Sequence, residues 1–158
     1  ILEFGLLEGT DREAAPERLT AATPEATVVH QCYPAQRKLK ELAFVNYIVN
    51  FEYPEGRPQA GEHALLGLLG EESLIVRKRS NKSQKGYTEV DLIPLIRSWN
   101  LECQSDAMAL DIVVSAQNPG LNPELLRSTF CQRYPQFTPD LVTFHRREVL
   151  DSAGNTFR

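Results

Sequence analysis

From Phe44 to Leu150 the apolar residues switch repeatedly between a period of two and a period of three to four, and this limits the fold more than any single motif. "NYIVNFEY" alternates, setting Tyr47, Val49 and Phe51 on one side and Asn46, Asn50 and Glu52 on the other, as a strand with one covered face requires. After the turn "PEGRP", Ala60, Ala64, Leu65, Leu68 and Leu69 share one stripe of a helix from about Gln59 to Leu69, which Gly70 ends. A strand over 73–79 follows. Asp91 then reads as the N-cap of a short helix in "LIPLIRSW", with Pro94 early enough to lose no intrahelical hydrogen bond. Met108, Leu110, Ile112 and Val114 alternate inward along 107–116. Asn122 and Pro123 open a helix with Leu125, Leu126, Thr129 and Phe130 as its buried stripe, and a last strand runs from about Leu141 to Leu150.

Strand, helix, strand, insertion, strand, helix, strand is the order of the ferredoxin-like βαββαβ unit, an α+β fold. Right-handed crossovers predict an antiparallel sheet of residues 44–53, 73–79, 107–116 and 141–150 with both helices on one face. The strands ending at Arg79 and Leu150 then form its edges. Upstream, residues 1–7, 16–22 and 26–32 read as strand, helix and strand, half of a second such unit. The expected organisation is a partial ferredoxin-like unit at 1–36 and a ferredoxin-like domain at 37–158 with an insertion at 80–106. A single mixed sheet that absorbs the first unit is the alternative. The chain opens on strand-like "ILEFGLL" without Met, and it reads as truncated at its front.

With 158 residues, 42% of them hydrophobic and 24% charged, the chain can bury one sizeable core or two small ones. No apolar run approaches the roughly 20 residues that cross a bilayer, and no secretory pattern opens the sequence, so the expected location is cytoplasmic with no membrane partner. Cys32, Cys103 and Cys131 are far apart and odd in number, which argues against a disulfide framework, zinc or an iron-sulfur cluster. They are expected to be structural and redox-silent, with no cofactor in this chain. His30, His63 and His145 are equally isolated, and Asn81-Lys82-Ser83 fits a glycosylation pattern by chance.

Charge is distributed unevenly. Arg77, Lys78, Arg79, Lys82 and Lys85 place +5 within nine residues, leaving −9 for the rest of a chain whose net charge is −4. The plainest reading is protection of an edge strand, whose cations discourage pairing with other edges. Contact with phosphates of single-stranded nucleic acid is a second, with Tyr87 and Trp99 as nearby stacking aromatics, and docking on an acidic protein surface is a third. Arg97 lies on the expected inserted helix, where it pairs with Glu89 or Asp91. Those two acids read as helix caps rather than as a catalytic pair, and no residue set forms a recognisable active site. Gly120 in "NPGLNPEL" precedes a helix N-terminus able to take an anion, although an ordinary connection capped by Asn122 explains it as well.

"SLIVRKRSNKSQKGYTEVDLIPLIRSWNL", preceded by "RKLKELAFVNYIV" and followed by "NPGLNPELL", resembles the radical-SAM-linked family over nearly the whole chain. This bacterial domain stands beside, or is fused after, a radical S-adenosylmethionine protein with a cobalamin-binding-like module. The most specific match is the basic strand followed by Glu89, Val90 and Asp91 and then Ile93 to Arg97. An upstream segment usual in the family, with "GFNP"-like residues, is missing. The resemblance implies association with a radical enzyme that modifies RNA or a protein, and no established activity for the domain itself. The three-cysteine cluster motif of the radical enzyme is not in these residues. The expected role is an accessory or substrate-presenting domain, with RNA and a radical SAM protein as partners. A structural protein-interaction module and a small enzyme are the alternatives.

Overall fold

A computed structural model describes residues 5–34, 37–56, 58–79 and 86–157, and the chain divides into two units, residues 1–39 and Lys40–Phe157. In the first unit, helix α1 spans Ala15–Ala22, with Pro16 in its first turn. Of the segments expected to flank it as strands, 26–32 and the described part of the first, 5–7, join no sheet, and residues 1–4 lie outside the described residues. A strand needs a neighbour for its backbone groups. Here Val29 N–H donates instead to Thr20 Oγ1 at 2.9 Å, and Thr27 N–H closes a turn onto the Pro24 carbonyl at 3.0 Å.

The second unit is built around β1, Leu42–Glu52, and β5, Ala107–Ser115, which pair antiparallel. Between them in sequence lie α2 (Gln59–Leu69), β2 (Ile75–Arg79), β3 (Tyr87–Asp91), a 3-10 turn at Ile93–Leu95, and β4 (Ile96–Cys103). After β5 come α3 (Pro123–Arg133), a 3-10 turn at Pro135–Phe137, and β6 (Leu141–Asp151). A four-stranded antiparallel sheet runs in the order β4-β5-β1-β6, and β2 and β3 form a separate two-stranded sheet. This is an α+β fold. Among the described residues, no helix is long and apolar enough to cross a membrane.

Register explains the core. Val49 faces Leu110 and Phe51 faces Met108 across the central pair, and Ile112 and Val114 continue the same side of β5. All six are buried. Leu65, Leu68 and Leu69 of α2 and Leu126 and Phe130 of α3 join the same cluster, so both helices cover one face, as expected. Phe130 meets Phe51 edge-on at 6.1 Å between ring centroids.

Two expectations about the sheet need correction. The strand over 73–79 is not an edge of the four-stranded sheet, and the helix expected in "LIPLIRSW" is one 3-10 turn followed by β4. The cause is competition for the edge beside β5. β4 offers Trp99, Leu101 and Cys103 opposite Ile112, Leu110 and Met108, a period-two apolar row matched to the core face. β2 offers three consecutive cations, one of which that register would turn inward against the helices. Two stretches of the expected insertion, Tyr87–Asp91 and Ile96–Cys103, are therefore strand.

Asn122 does cap α3, its Oδ1 accepting from Glu124 N–H at 3.1 Å. Gly120 is required for a different reason: a Cβ there would meet the Gln117 carbonyl oxygen at 3.0 Å and two more carbonyls at 3.3 Å. Urea unfolding should separate the contributions of core and cap. Phe130→Ala is expected to cost about 3–5 kcal/mol, and Asn122→Ala about 1 kcal/mol. Equal losses would show that α3 is not held chiefly by its buried face.

Candidate functional site

The β2–β3 hairpin carries the cations that the sequence singles out. Its base is tied to the core by buried Leu74 and Leu92, with Leu92 N–H donating to the Leu74 carbonyl at 3.0 Å. Val76 and Val90 are cross-strand partners and pack against the core cluster. The opposite face of the hairpin, one residue out of phase, presents Ile75, Arg77 and Glu89.

Arg77 and Glu89 are direct cross-strand partners, with Nε 3.4 Å from Oε1 and side chains 69% and 56% exposed. The Arg77 guanidinium carbon also lies 4.8 Å from the centroid of the Tyr87 ring, a cation–π distance. Lys78 is exposed opposite Thr88. Arg79 pairs through its backbone with Tyr87, while Lys82 and Lys85 lie outside the described residues.

Arg97 belongs to another group. It sits at a bulge of β4, with its guanidinium carbon 4.6 Å from the Phe44 ring centroid and Nη1 donating to the Ser152 carbonyl at 3.4 Å. Phe44 is on the sheet face opposite the helices, out of phase with Val49 and Phe51. The expected pairing of Arg97 with Glu89 or Asp91 is not made, because β4 replaces the helix that would have carried it. Gly154 is needed there: its φ is 89°, and a Cβ would lie 3.3 Å from Arg97 Nη2.

Asp91 is the anchor of the hairpin. Oδ1 accepts from Leu74 N–H at 2.8 Å and from Ile93 N–H at 3.2 Å, and Oδ2 accepts from the Ser73 hydroxyl at 2.8 Å. The expected capping role survives in the Ile93 bond, but the main partners are seventeen and eighteen residues back in the chain. These bonds, Leu74 N–H first and the Ser73 hydroxyl second, hold the carboxyl below its ordinary range.

A second polar group has no mark in the sequence. On the face that carries Phe44, Asp111 accepts from Asn46 Nδ2 at 2.6 Å and from Arg147 Nη1 at 3.2 Å. These three residues come from three strands and share no sequence spacing; only sheet register brings them together. A shallow recess of about 390 Å³ at one end of the sheet is lined by Asn50, Glu52, Tyr53, Gln104 and Asp106 among others. Among the described residues, no group of three or more His, Cys, Asp or Glu is placed to hold a metal ion. Cys32, Cys103 and Cys131 are all half-buried, and none is in a disulfide.

Because the folded carboxyl of Asp91 titrates lower than the unfolded one, the stability it contributes is complete above the unfolded value of about 4 and is lost as pH falls through the folded value. Asp91→Asn keeps an oxygen acceptor and removes the titration. Its unfolding midpoint should therefore fall less than that of the parent between neutral pH and about pH 3. Parallel acid profiles would remove Asp91 from the hairpin anchor.

No family model, curated protein or solved structure matches this chain.

Proposed function

We propose that this chain is an accessory, cytoplasmic domain of a radical SAM enzyme system, and that it docks RNA through the β2–β3 hairpin and contributes binding rather than chemistry. The observation that carries this reading is the placement of the cations. Arg77 and Lys78 are exposed on a two-stranded sheet separate from the four-stranded one, so a ligand can reach them without disturbing the core. The link to a radical enzyme rests on the resemblance of the strand, the Glu89-Val90-Asp91 step and the segment Ile93 to Arg97 to the radical-SAM-linked family.

The main sheet is read, within the same proposal, as ferredoxin-like. Its order β4-β5-β1-β6, with α2 joining β1 to the hairpin and α3 joining β5 to β6, supports that topology when β4 stands in the place expected for residues 73–79. The hairpin is then an insertion between α2 and the second strand of the unit.

A second reading, docking on an acidic protein face, is favoured by Ile75. Its side chain is 66% exposed on the same hairpin face as Arg77, and an apolar contact beside cations suits a protein surface.

The two readings separate on replacing Arg77, Arg79, Lys82 and Lys85 by Ser. If RNA is the partner, the slope of log affinity against log salt should fall by about 0.7 for each phosphate no longer neutralised, with the unfolding midpoint unchanged. If an acidic protein is the partner, co-purification with the radical enzyme disappears while residual RNA binding stays as in the parent. A variant that retains both interactions leaves edge protection as the role of the cations and overturns the proposal.

A further inference from the structure

The cations of the hairpin are not equivalent. Lysines can meet a phosphate only as point charges, whereas a guanidinium presents a planar fork that matches two phosphate oxygens. Arg77 is held on two sides. Its Nε faces Glu89 Oε1 at 3.4 Å, and its guanidinium carbon lies over the Tyr87 ring, 4.8 Å from the centroid. Among the described residues, Nη1 and Nη2 make no hydrogen bond. The side chain is 69% exposed. Among the described residues, two nitrogens able to make a bidentate phosphate contact are therefore left open, while the rest of the side chain is held.

Glu89 acts on this fork in two opposed ways. As an acceptor it orients Nε. As a charge it opposes any anion that approaches Nη1 and Nη2, over a distance shorter than the screening length of physiological salt. The cross-strand register fixes both effects, because Glu89 stands directly opposite Arg77 whatever rotamers the side chains adopt. The amide of glutamine would keep the acceptor and remove the charge. Tyr87 orients without opposing, since a ring face attracts the cation and leaves its edge groups free.

We infer that Arg77 is, among the described side chains, the specific phosphate-binding group of the hairpin, a fork pre-oriented by Tyr87 and weakened by the charge of Glu89, and that its ligand is a phosphodiester of single-stranded RNA. This deepens the docking reading above and rests on it. Lys78 then supplies long-range attraction, which depends on salt and not on shape. Arg77 supplies the geometric contact, which a lysine cannot replace.

The test uses a single-stranded RNA dodecamer and measures its affinity across a salt series for the parent and its variants. Arg77→Lys keeps the charge and removes the fork, so affinity should drop about tenfold while the salt slope stays that of the parent. Arg77→Gln should lower the slope by about 0.7 as well. Glu89→Gln should bind about threefold tighter at low salt, the gain vanishing as salt rises. Tyr87→Leu should weaken binding without changing the slope, and combining it with Arg77→Lys should add little, since both remove one oriented group. Lys78→Ser is the control for the docking reading, and it should lower affinity and slope together. If Lys78→Ser behaves so but Arg77→Lys binds like the parent, the fork is overturned and the docking reading stands. Additive effects in the Tyr87 and Arg77 pair overturn the positioning role of Tyr87. If the parent does not bind RNA, or if neither Lys78→Ser nor Arg77→Lys changes binding, the docking reading fails and this inference fails with it.

Discussion

The fold depends on one demand: the alternate residues of β1 and β5 must be covered on a single face. Val49, Phe51, Met108, Leu110, Ile112 and Val114 are at most 1% exposed, and each such side chain contributes on the order of 1.5–3 kcal/mol when removed from water. One sheet face cannot bury itself, so α2 and α3 must lie across it. The antiparallel register of β1 and β5 aligns the apolar rows, and Phe130 locks α3 to them through Phe51. Strands added outside this pair are accepted according to whether their apolar residues fall in phase with it.

That criterion decides what flanks the centre. β4 joins beside β5 because Trp99, Leu101 and Cys103 continue the row, whereas Arg77, Lys78 and Arg79 cannot. Excluded from the sheet, β2 takes β3 as a partner, and the hairpin keeps only its base in the core through Leu74, Val76, Val90 and Leu92. The separation of the cations from the core is thus a consequence of core packing. On the other edge, β6 is accepted through Val142, opposite Phe51, and carries His145, Arg146 and Arg147 along its exposed length. Cations on an open edge are the usual defence against pairing with another chain.

Where one period dominates a segment, the sequence is sufficient to read it. β1, β5, α2 and α3 lie where alternation or a helical stripe puts them, β6 lies at its expected place although it alternates poorly around Arg146 and Arg147, and Asn122 caps α3 as its position before Pro123 implies. The second edge strand is hidden although "WNLEC" alternates, because Pro94 and the preceding aspartate carry the local signature of a helix start; tertiary pairing overrides that signal. Residues 26–32 illustrate the opposite error. "ATVVHQC" has strand composition, yet Val28 is 60% exposed and Val29 is held by Thr20, because β propensity without a partner makes no strand. Of the candidate binding residues, Arg77 and Lys78 are legible as a charge run. The contact of Arg77 with Tyr87 and the Asp111 group with Asn46 and Arg147 are not, since they arise from register between strands far apart in sequence.

Glu89 and Asp91 show how register divides the work of similar residues. They are two apart on one strand, so they point to the same side of the hairpin. Asp91 is opposite Ile75, at the base, where the chain turning in from Ser73 and Leu74 brings a hydroxyl and an N–H within 2.8 Å of its carboxylate. Glu89 is one step further out, opposite Arg77, where no backbone donor competes for it and a cation does. An exposed pair of that kind contributes at most about 1 kcal/mol to stability. Its physical effect is felt in the charge beside it: adjacent cations on β2 repel one another, and an acid across the ladder relieves that repulsion at Arg77. Asp91, committed to backbone donors, leaves the rest of the positive charge uncompensated. The hairpin can therefore be anchored by one carboxylate and remain net cationic at the positions beyond it.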